Sequence, residues 1–503
     1  MRNVLRRVFC ASKNLRKIEG YASKNSRALF HDSALNDIDE TTSKLFLPGE
    51  KFVMDELFKL QAGVVEKQTL DFAHVFVEVP EEGAFYEKNL EKAFEFLHKR
   101  HPTLRAYFVR DEKGEPKRMY AEETEKIPFE THSLECNLYS PEFEAFLHSK
   151  IDGIDNQKKM LEKIPSRWYF IQALDSKVLF LYTHHGFIDN GSARVLANEL
   201  HLLCHKLNEN KELTFEEATK DFAKISSYEE VVRKYWETHT KKNEALMEYL
   251  KPAFEKFNPK KLGPLMTPPT YDPETSKLLV SHRLYSDASV KYIHSNKLNM
   301  NRVMLTIFQL ALHQVFQVDS PIVPFCKLNG QRPDLAKGVA CCYVREQVFF
   351  QEFNPENTLL EQYIANNHHN KKTLSEFGDL DVEEALTTLS QTLGKDCLPK
   401  ICFNFVPMNP RDSKWIEAAD FYDSIFGNII PSHNLYFELV DDQRRGFYIF
   451  TLIFDKANLD SLLVARFKLY MMTMLDNLER LLQTKVGDMT EEKIINLLFL
   501  KKK

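Results

Sequence analysis

The sequence predicts an α/β fold made of two α/β sandwich lobes. Three observations lead there. The chain has 503 residues, more than one ordinary core holds. Apolar patterns of period two and period 3.6 interleave in both halves. A run of prolines (Pro252, Pro259, Pro264, Pro268, Pro269 and Pro273) separates the halves.

The elements follow in order. Residues 45–60 read as a turn leading into a short amphipathic helix, and 72–79 alternate as a strand does. Residues 87–99 place Leu90, Ala93, Phe94 and Leu97 on one helical face. Pro102 ends that helix, because the residue before a proline is pushed out of helical backbone. Residues 167–174 and 177–183 predict a hairpin across Asp175 and Ser176. Residues 193–207 read as a helix. The charged stretch 206–261 reads as largely helical, with Tyr228, Val231, Tyr235 and Trp236 as packing residues. In the second half, strands are expected at 277–284, 322–328, 344–350, 401–406, 435–440 and 446–454. Helices are expected at 286–295, 301–316 and 458–482. The division is a leader at 1–30, an N-terminal lobe at 40–205, an insert and crossover at 206–275, a C-terminal lobe at 276–485 and a tail at 486–503.

Charge is uneven. The formal net charge is −5. Arg2, Arg6, Arg7, Lys13, Arg16, Lys17, Lys24 and Arg27 crowd the first 30 residues against one acid, Glu19. The body is therefore acidic, which excludes nucleic acid as a partner, since phosphate affinity needs clustered basic residues. The acid-poor leader, with Val4, Leu5, Val8, Phe9, Leu15 and Ile18 at helical spacing, fits a mitochondrial presequence or a solvated basic tail. No apolar run is long enough to span a bilayer; the longest, 303–312, is broken by Gln309. The eight cysteines form no C-x-x-C, so free thiols in a reducing compartment are expected, with no metal site. Neither a G-x-G-x-x-G nor a G-x-x-x-x-G-K-[ST] string occurs, which removes the two common nucleotide loops.

One string carries chemistry: LFLYTHHGFIDNGSARVLANEL at 179–200. A strand runs into His184 and His185, Asp189 follows, and then a helix. By composition a His-His-x-x-x-Asp string arises by chance about 0.03 times in such a chain, so chance is a poor explanation. A histidine at a strand end suits general-base work near neutral pH. Adjacent histidines on an extended strand point to opposite faces and do not chelate one ion. Asp189 is placed to fix the loop, and Ser192 is expected as the helix N-cap. The pair His368–His369 lies in NNHHNKK without such context and reads as a polar surface segment. Asn190-Gly191-Ser192 is formally a glycosylation sequon, and a glycan there would block the site.

HHGFIDNGS resembles the HHxxxDG motif of the chloramphenicol acetyltransferase-like superfamily, which includes condensation domains, alcohol acyltransferases and wax ester synthases. LHKRHPTLRAYF at 97–108 is similar to the HPxLR segment of condensation domains. NGQRPDLAKGVACCYV at 329–344, ICFNFVP at 401–407 and the closing segment 446–478 match in order, so the resemblance covers roughly 40–485. Asn190 stands where the motif has Gly; Asn tolerates a left-handed backbone better than most residues. The DFGWG motif of the plant branch is absent, and SIFGNII at 424–430 does not replace it.

The resemblance implies two similar lobes with a tunnel at their interface. It implies acyl transfer from a thioester, acyl-CoA as co-substrate, to an alcohol or amine. His185 would be the general base, with His184 and Asp189 shaping the site and no acyl-enzyme. Arg332 corresponds to the second-lobe Arg that pairs with this Asp, Asn190 and Gly191 would support the site, and Asn404 would line the tunnel or hold a structural partner. The alternatives are condensation from an acyl carrier protein acting in trans and a catalytically silent binding module. Asp460-Ser461-Leu462 lacks the Gly of a carrier site and reads as a helix start.

Overall fold

A computed structural model describes residues 42–48, 50, 54, 58, 72–79, 87–138, 140–151, 163–184, 186–270, 275–408, 433–443 and 446–500. The basic leader, Cys10, most of 45–60, Pro273 and 424–430 lie outside the described residues.

Strands β1 (Phe72–Val79), β2 (Ala106–Arg110), β3 (Pro116–Tyr120), β4 (Phe129–Ser133), β5 (Arg167–Gln172) and β6 (Lys177–His184) belong to the N-terminal lobe. Its sheet has the order β1-β6-β5-β4, while β2 and β3 form a separate ribbon. β5 and β6 form the expected hairpin, with Gln172 opposite Lys177. Both are continuous apolar runs rather than alternating ones, as strands buried on two faces are. Helices α1 (Glu87–Arg100), α2 (Pro141–Ile151) and α3 (Asn190–Glu209) flank this sheet. Leu90, Phe94 and Leu97 of α1, Phe143 of α2 and Leu196, Leu200 and Leu203 of α3 share one core with Trp168 and Phe180. The helix at α1 ends at Arg100, just before Pro102, as the sequence predicts.

Helix α4 (Phe215–Thr219) precedes a long helix, α5 (Tyr228–Lys256). Pro252 lies inside α5 rather than in a linker. Pro259 and Pro264 belong to a 3-10 segment, Pro259–Met266, that buries Leu262, Leu265 and Met266 in the second lobe's core. α5 works as a strut. Its first half packs Tyr228, Val231 and Tyr235 against Val339, Cys341 and Tyr343. Its second half joins the C-terminal core through Leu246, Leu250 and Phe254.

The C-terminal lobe holds β7 (Ser276–Leu284), β8 (Phe325–Asn329), β9 (Arg345–Phe349), β10 (Ile401–Met408), β11 (Leu435–Asp442) and β12 (Phe447–Asp455), in the order β7-β12-β11-β10-β8-β9. β8, β10 and β11 run parallel to one another. Helices α6 (Ala288–Ser295), α7 (Met300–Val315), α8 (Leu359–Phe377), α9 (Glu383–Leu393), α10 (Ser461–Asp476), α11 (Leu478–Leu481) and α12 (Glu491–Leu500) complete it. Phe308 of α7 is the hub: its ring meets Phe325, Phe403, Phe437 and Phe467 at 5.2–5.6 Å. Replacing such a side chain by Ala costs about 3–5 kcal/mol. Asp460 caps α10, accepting from Leu463 N, so the Asp-Ser-Leu string is a helix start. The expected tail is not one: Val486, Met489 and Ile494 are part of the C-terminal core.

Helices α8 and α9 were not expected. α8 hides its signal because its inner face is polar. Four of its six buried residues, Gln362, Asn366, Asn370 and Thr373, are polar, while Leu359 and Phe377 stand at its two ends. Asn366 Nδ2 donates to Thr306 Oγ1 at 3.1 Å and Gln309 Oε1 at 2.9 Å, and Gln362 Nε2 reaches the same Gln309 oxygen at 3.2 Å. A helix sealed by amides has no apolar stripe to read. His369 is also not a surface residue: its ring sits edge-on to Phe349 and Phe350. Among the described residues, no helix is long and apolar enough to cross a membrane.

Buried imidazoles set an acid limit on this fold. His98 accepts a hydrogen bond from Trp168 Nε1 at 3.0 Å, and burial foremost, then the Arg105 charge, lowers its pKa to about 3. Burial lowers His313 to about 4. The folded chain therefore binds fewer protons than the unfolded chain between these values and about 6.5. The stability these groups contribute is present above about 6.5 and is lost as pH falls. Urea midpoints measured from pH 7.5 to 5 will decline with acidity, and His98→Gln will flatten the decline. A midpoint independent of pH in both proteins would contradict this account.

Candidate active site

Strand β6 ends at His184, whose backbone pairs with Phe72 of β1. His185 lies outside the described residues, and His184 and Asn190 are described by backbone alone. What is described on either side of His185 is anchored. Phe187 stacks on Phe108 of β2 with ring centres 5.3 Å apart and an angle of 10°. Phe187, Ile188 and Asp189 are all buried.

Asp189 is the N-cap of α3, in place of the expected Ser192. Its Oδ1 accepts from Ser192 N at 2.8 Å. Ser192 sits at the third helical position, where its amide is one of the orphan donors a cap must satisfy. Its hydroxyl faces the other lobe: Ser192 Oγ donates to the Cys341 carbonyl at 2.6 Å and accepts from Cys341 N at 2.9 Å.

Arg332 closes the arrangement. One guanidinium nitrogen, Nη2, donates to Asp189 Oδ1, to Ser192 Oγ at 2.8 Å and to the Cys341 carbonyl at 2.6 Å. Nη1 donates to the Val339 carbonyl. Asp189 Oδ2 accepts from Tyr343 N at 2.9 Å. Burial lowers the Arg332 pKa, but the Cys341 and Asp189 charges beside it raise it further, so it ends above its ordinary value. The pair is almost sealed, with side chains 9% and 2% exposed.

Gly191 lies close under this pair. A Cβ there would lie 3.1 Å from Arg332 Nε and 3.3 Å from Asp189 Oδ1. Asn190 opens α3 in helical backbone, so the left-handed conformation considered for it is not used.

The HPTLR turn grips the same second-lobe segment. Thr103 Oγ1 donates to the Ala340 carbonyl at 2.6 Å, and Ala340 N points at His101 Nδ1 at 3.4 Å. His101 Nε2 lies 2.8 Å from Glu199 Oε2 on α3, which also accepts from Arg100 Nε at 2.8 Å. Burial pushes the Glu199 pKa up, but these two partners hold it below its ordinary value. Tyr343, Cys341, His101 and Glu199 were not singled out from sequence. Their roles depend on backbone amides and long-range pairing, which leave no local pattern.

Asn404 has partners of its own. Its Nδ2 donates to Tyr436 Oη at 2.8 Å and to Glu438 Oε2 at 2.9 Å, its cross-strand neighbour on β11. Arg194 of α3 reaches the Pro407 carbonyl at the end of the same strand, β10. The expected tunnel involves His185 and so falls partly outside the described residues. Tyr235 and Trp236 pack, as expected: Tyr235 meets Tyr343, and Trp236 Nε1 donates to the Phe46 carbonyl at 3.0 Å. The seven described cysteines are free, and six of them are buried.

Two variants test the clamp. Arg332→Ala leaves the Asp189 carboxylate buried and unpaired, and is expected to cost about 3–5 kcal/mol in chemical denaturation. Arg332→Lys will not restore it, because one ammonium cannot span these acceptors. Gly191→Ala presses on a guanidinium that its hydrogen bonds hold in place. Overpacking costs about 1–3 kcal/mol, while the gain in helix propensity is about 1 kcal/mol at most. Net destabilisation is expected; a more stable Gly191→Ala protein would show that the contact is slack.

The condensation domain family profile matches residues 72–327. No curated protein matches the chain in sequence. Solved structures do match in fold. The epimerization domain from the third module of tyrocidine synthetase B is 14% identical, with a TM-score of 0.62, covering 90% of this chain and 98% of that one. The starter condensation domain of rhizomide synthetase, in a variant solved with C8-CoA, is 10% identical with a TM-score of 0.67, covering 89% and 97%. The condensation domain of monacolin K polyketide synthase is 11% identical with a TM-score of 0.66, covering 88% and 98%. The fold is the two-lobed one these domains share, and by its sequence the chain belongs to the condensation domain family.

Proposed function

We propose that the chain transfers an acyl group from acyl-CoA to an alcohol or amine, with His185 as general base. Acyl transfer or amide formation is the chemistry of the family; the donor and the base are this reading's additions. The observation that carries it is the Asp189–Arg332 clamp. It fastens the loop that follows His185 to the second lobe, as a base shared between two substrates requires. The acceptor O–H or N–H attacks the thioester carbonyl while its proton passes to His185. The tetrahedral oxyanion collapses, the C–S bond breaks, and the leaving thiolate takes the proton back. No acyl-enzyme forms. His184 shapes the loop. A neighbour solved with C8-CoA supports CoA as the donor class. The fold's recurrence in synthetase domains favours, as a second reading, the same transfer from a carrier-protein thioester.

The test is thiol release from a panel of acyl-CoAs with mixed alcohol and amine acceptors. His185→Ala is expected to lower the rate by about 10²–10⁴. A wild-type rate unchanged by His185→Ala removes His185 as the base. Transfer from an acyl carrier protein, with inert CoA thioesters, selects the second reading. Inertness to both donors leaves a binding module.

A further inference from the structure

The second lobe carries a side-chain cluster that the acyl-transfer reading does not use. Cys326 of β8, Glu346 of β9 and His433, just before β11, bring one ligand atom each within 4.8 Å of one another. Cys326 Sγ lies 3.2 Å from Glu346 Oε2, and His433 Nε2 lies 3.5 Å from Glu346 Oε1. In a tetrahedral zinc site with bonds of about 2.0–2.3 Å, neighbouring ligand atoms stand about 3.3–3.8 Å apart. The three ligand atoms gather at close to that scale, with Cys326 Sγ and His433 Nε2 each beside one oxygen of the Glu346 carboxylate. We propose that Cys326, Glu346 and His433 bind one Zn²⁺ ion, with water in the fourth position.

The donor set selects the metal. A thiolate, an imidazole and a carboxylate suit zinc, whereas magnesium and calcium take oxygen shells. The charges balance as well, since one thiolate and one carboxylate neutralise a divalent ion. Without it the lobe buries acids at a cost. Cys326 is 2% exposed and Asp381 8%. Asp381 Oδ2 accepts from Glu346 N at 2.9 Å. A nearby cation, Lys400, lies 3.6 Å from Asp396 and is shared with it. A divalent ion would add positive charge beside these buried acids.

The ligands are held in place beforehand. Cys326 and Glu346 are diagonal neighbours on one face of the antiparallel pair β8–β9. His433 is fixed by the next residue: Asn434 N donates to the Lys400 carbonyl at 2.8 Å, and its side chain donates to the Pro264 carbonyl at 2.9 Å. The Glu346 side chain is 36% exposed, which leaves an access route. Bound zinc would staple β9 and β8 to the start of β11 across β10.

The test uses the full chain, stripped with chelator and dialysed. Calorimetric titration with Zn²⁺ should give one site per chain, and Co²⁺ in its place should give a thiolate-to-metal charge-transfer band. Cys326→Ser should abolish that band. His433→Ala and Glu346→Gln should each weaken zinc binding at least about tenfold. Cys402→Ser, which removes the neighbouring thiol, should leave the band intact. No stoichiometric zinc, or a band that survives Cys326→Ser, overturns the proposal. If that variant does not fold, X-ray absorption of the zinc-loaded wild-type chain decides: one sulfur among nitrogen and oxygen ligands supports the site, and a shell without sulfur overturns it. The outcome is independent of whether acyl transfer is found.

Discussion

A carboxylate and a guanidinium removed from water together hold the two lobes in one arrangement. Asp189 and Arg332 come from opposite halves of the sequence and meet almost sealed from solvent. Such a pair loses hydration that its mutual attraction alone does not return. Here the deficit is met by further hydrogen bonds. Asp189 also takes Ser192 N and Tyr343 N, and Arg332 also takes the Val339 and Cys341 carbonyls. Among the described residues, Arg332 Nε is the one guanidinium nitrogen of this pair without a partner, and it lies over Gly191. Because the same carboxylate caps α3, it joins the helix start to the second-lobe segment.

That second-lobe segment is held from three sides. Asp189 and Ser192 hold its two ends near Cys341 and Tyr343. The HPTLR turn holds Ala340. α5 covers Val339, Cys341 and Tyr343 with Tyr228, Val231 and Tyr235. Polar contacts set direction and apolar ones exclude water, so each makes the other stronger. α3 reaches the second lobe at a further point, where Arg194 donates to the Pro407 carbonyl at the end of β10.

The fold class, the hairpin β5–β6, the end of α1 at Pro102 and the string His184–Asp189 were legible because each has a short-range cause: periodicity, a proline, or a strand-to-helix junction. The Arg332 pairing was legible only through resemblance, since nothing in its neighbours points to a residue so far back in the chain. What escaped had causes without local pattern. α8 buries amides instead of an apolar stripe, although its capping box at Thr358 and Glu361 was a readable start. The Asp189 cap was assigned to Ser192 because both are good capping residues, and only the backbone decides which one is extended. The cluster of Cys326, Glu346 and His433 was invisible to a search for C-x-x-C, since strand pairing rather than spacing assembles it.

The clamp also gives Asp189 a structural task. Its described contacts run to Ser192, Tyr343 and Arg332, so it fastens the start of α3 to the second lobe. The same geometry settles what Asn190 means. The motif's usual glycine at that position suggests a backbone that only glycine tolerates well, yet residue 190 is helical here. The position where a side chain meets an obstacle is 191, and there the glycine is retained. The departure from the motif thus falls where the backbone makes no demand, and the glycine beside the clamp is unchanged.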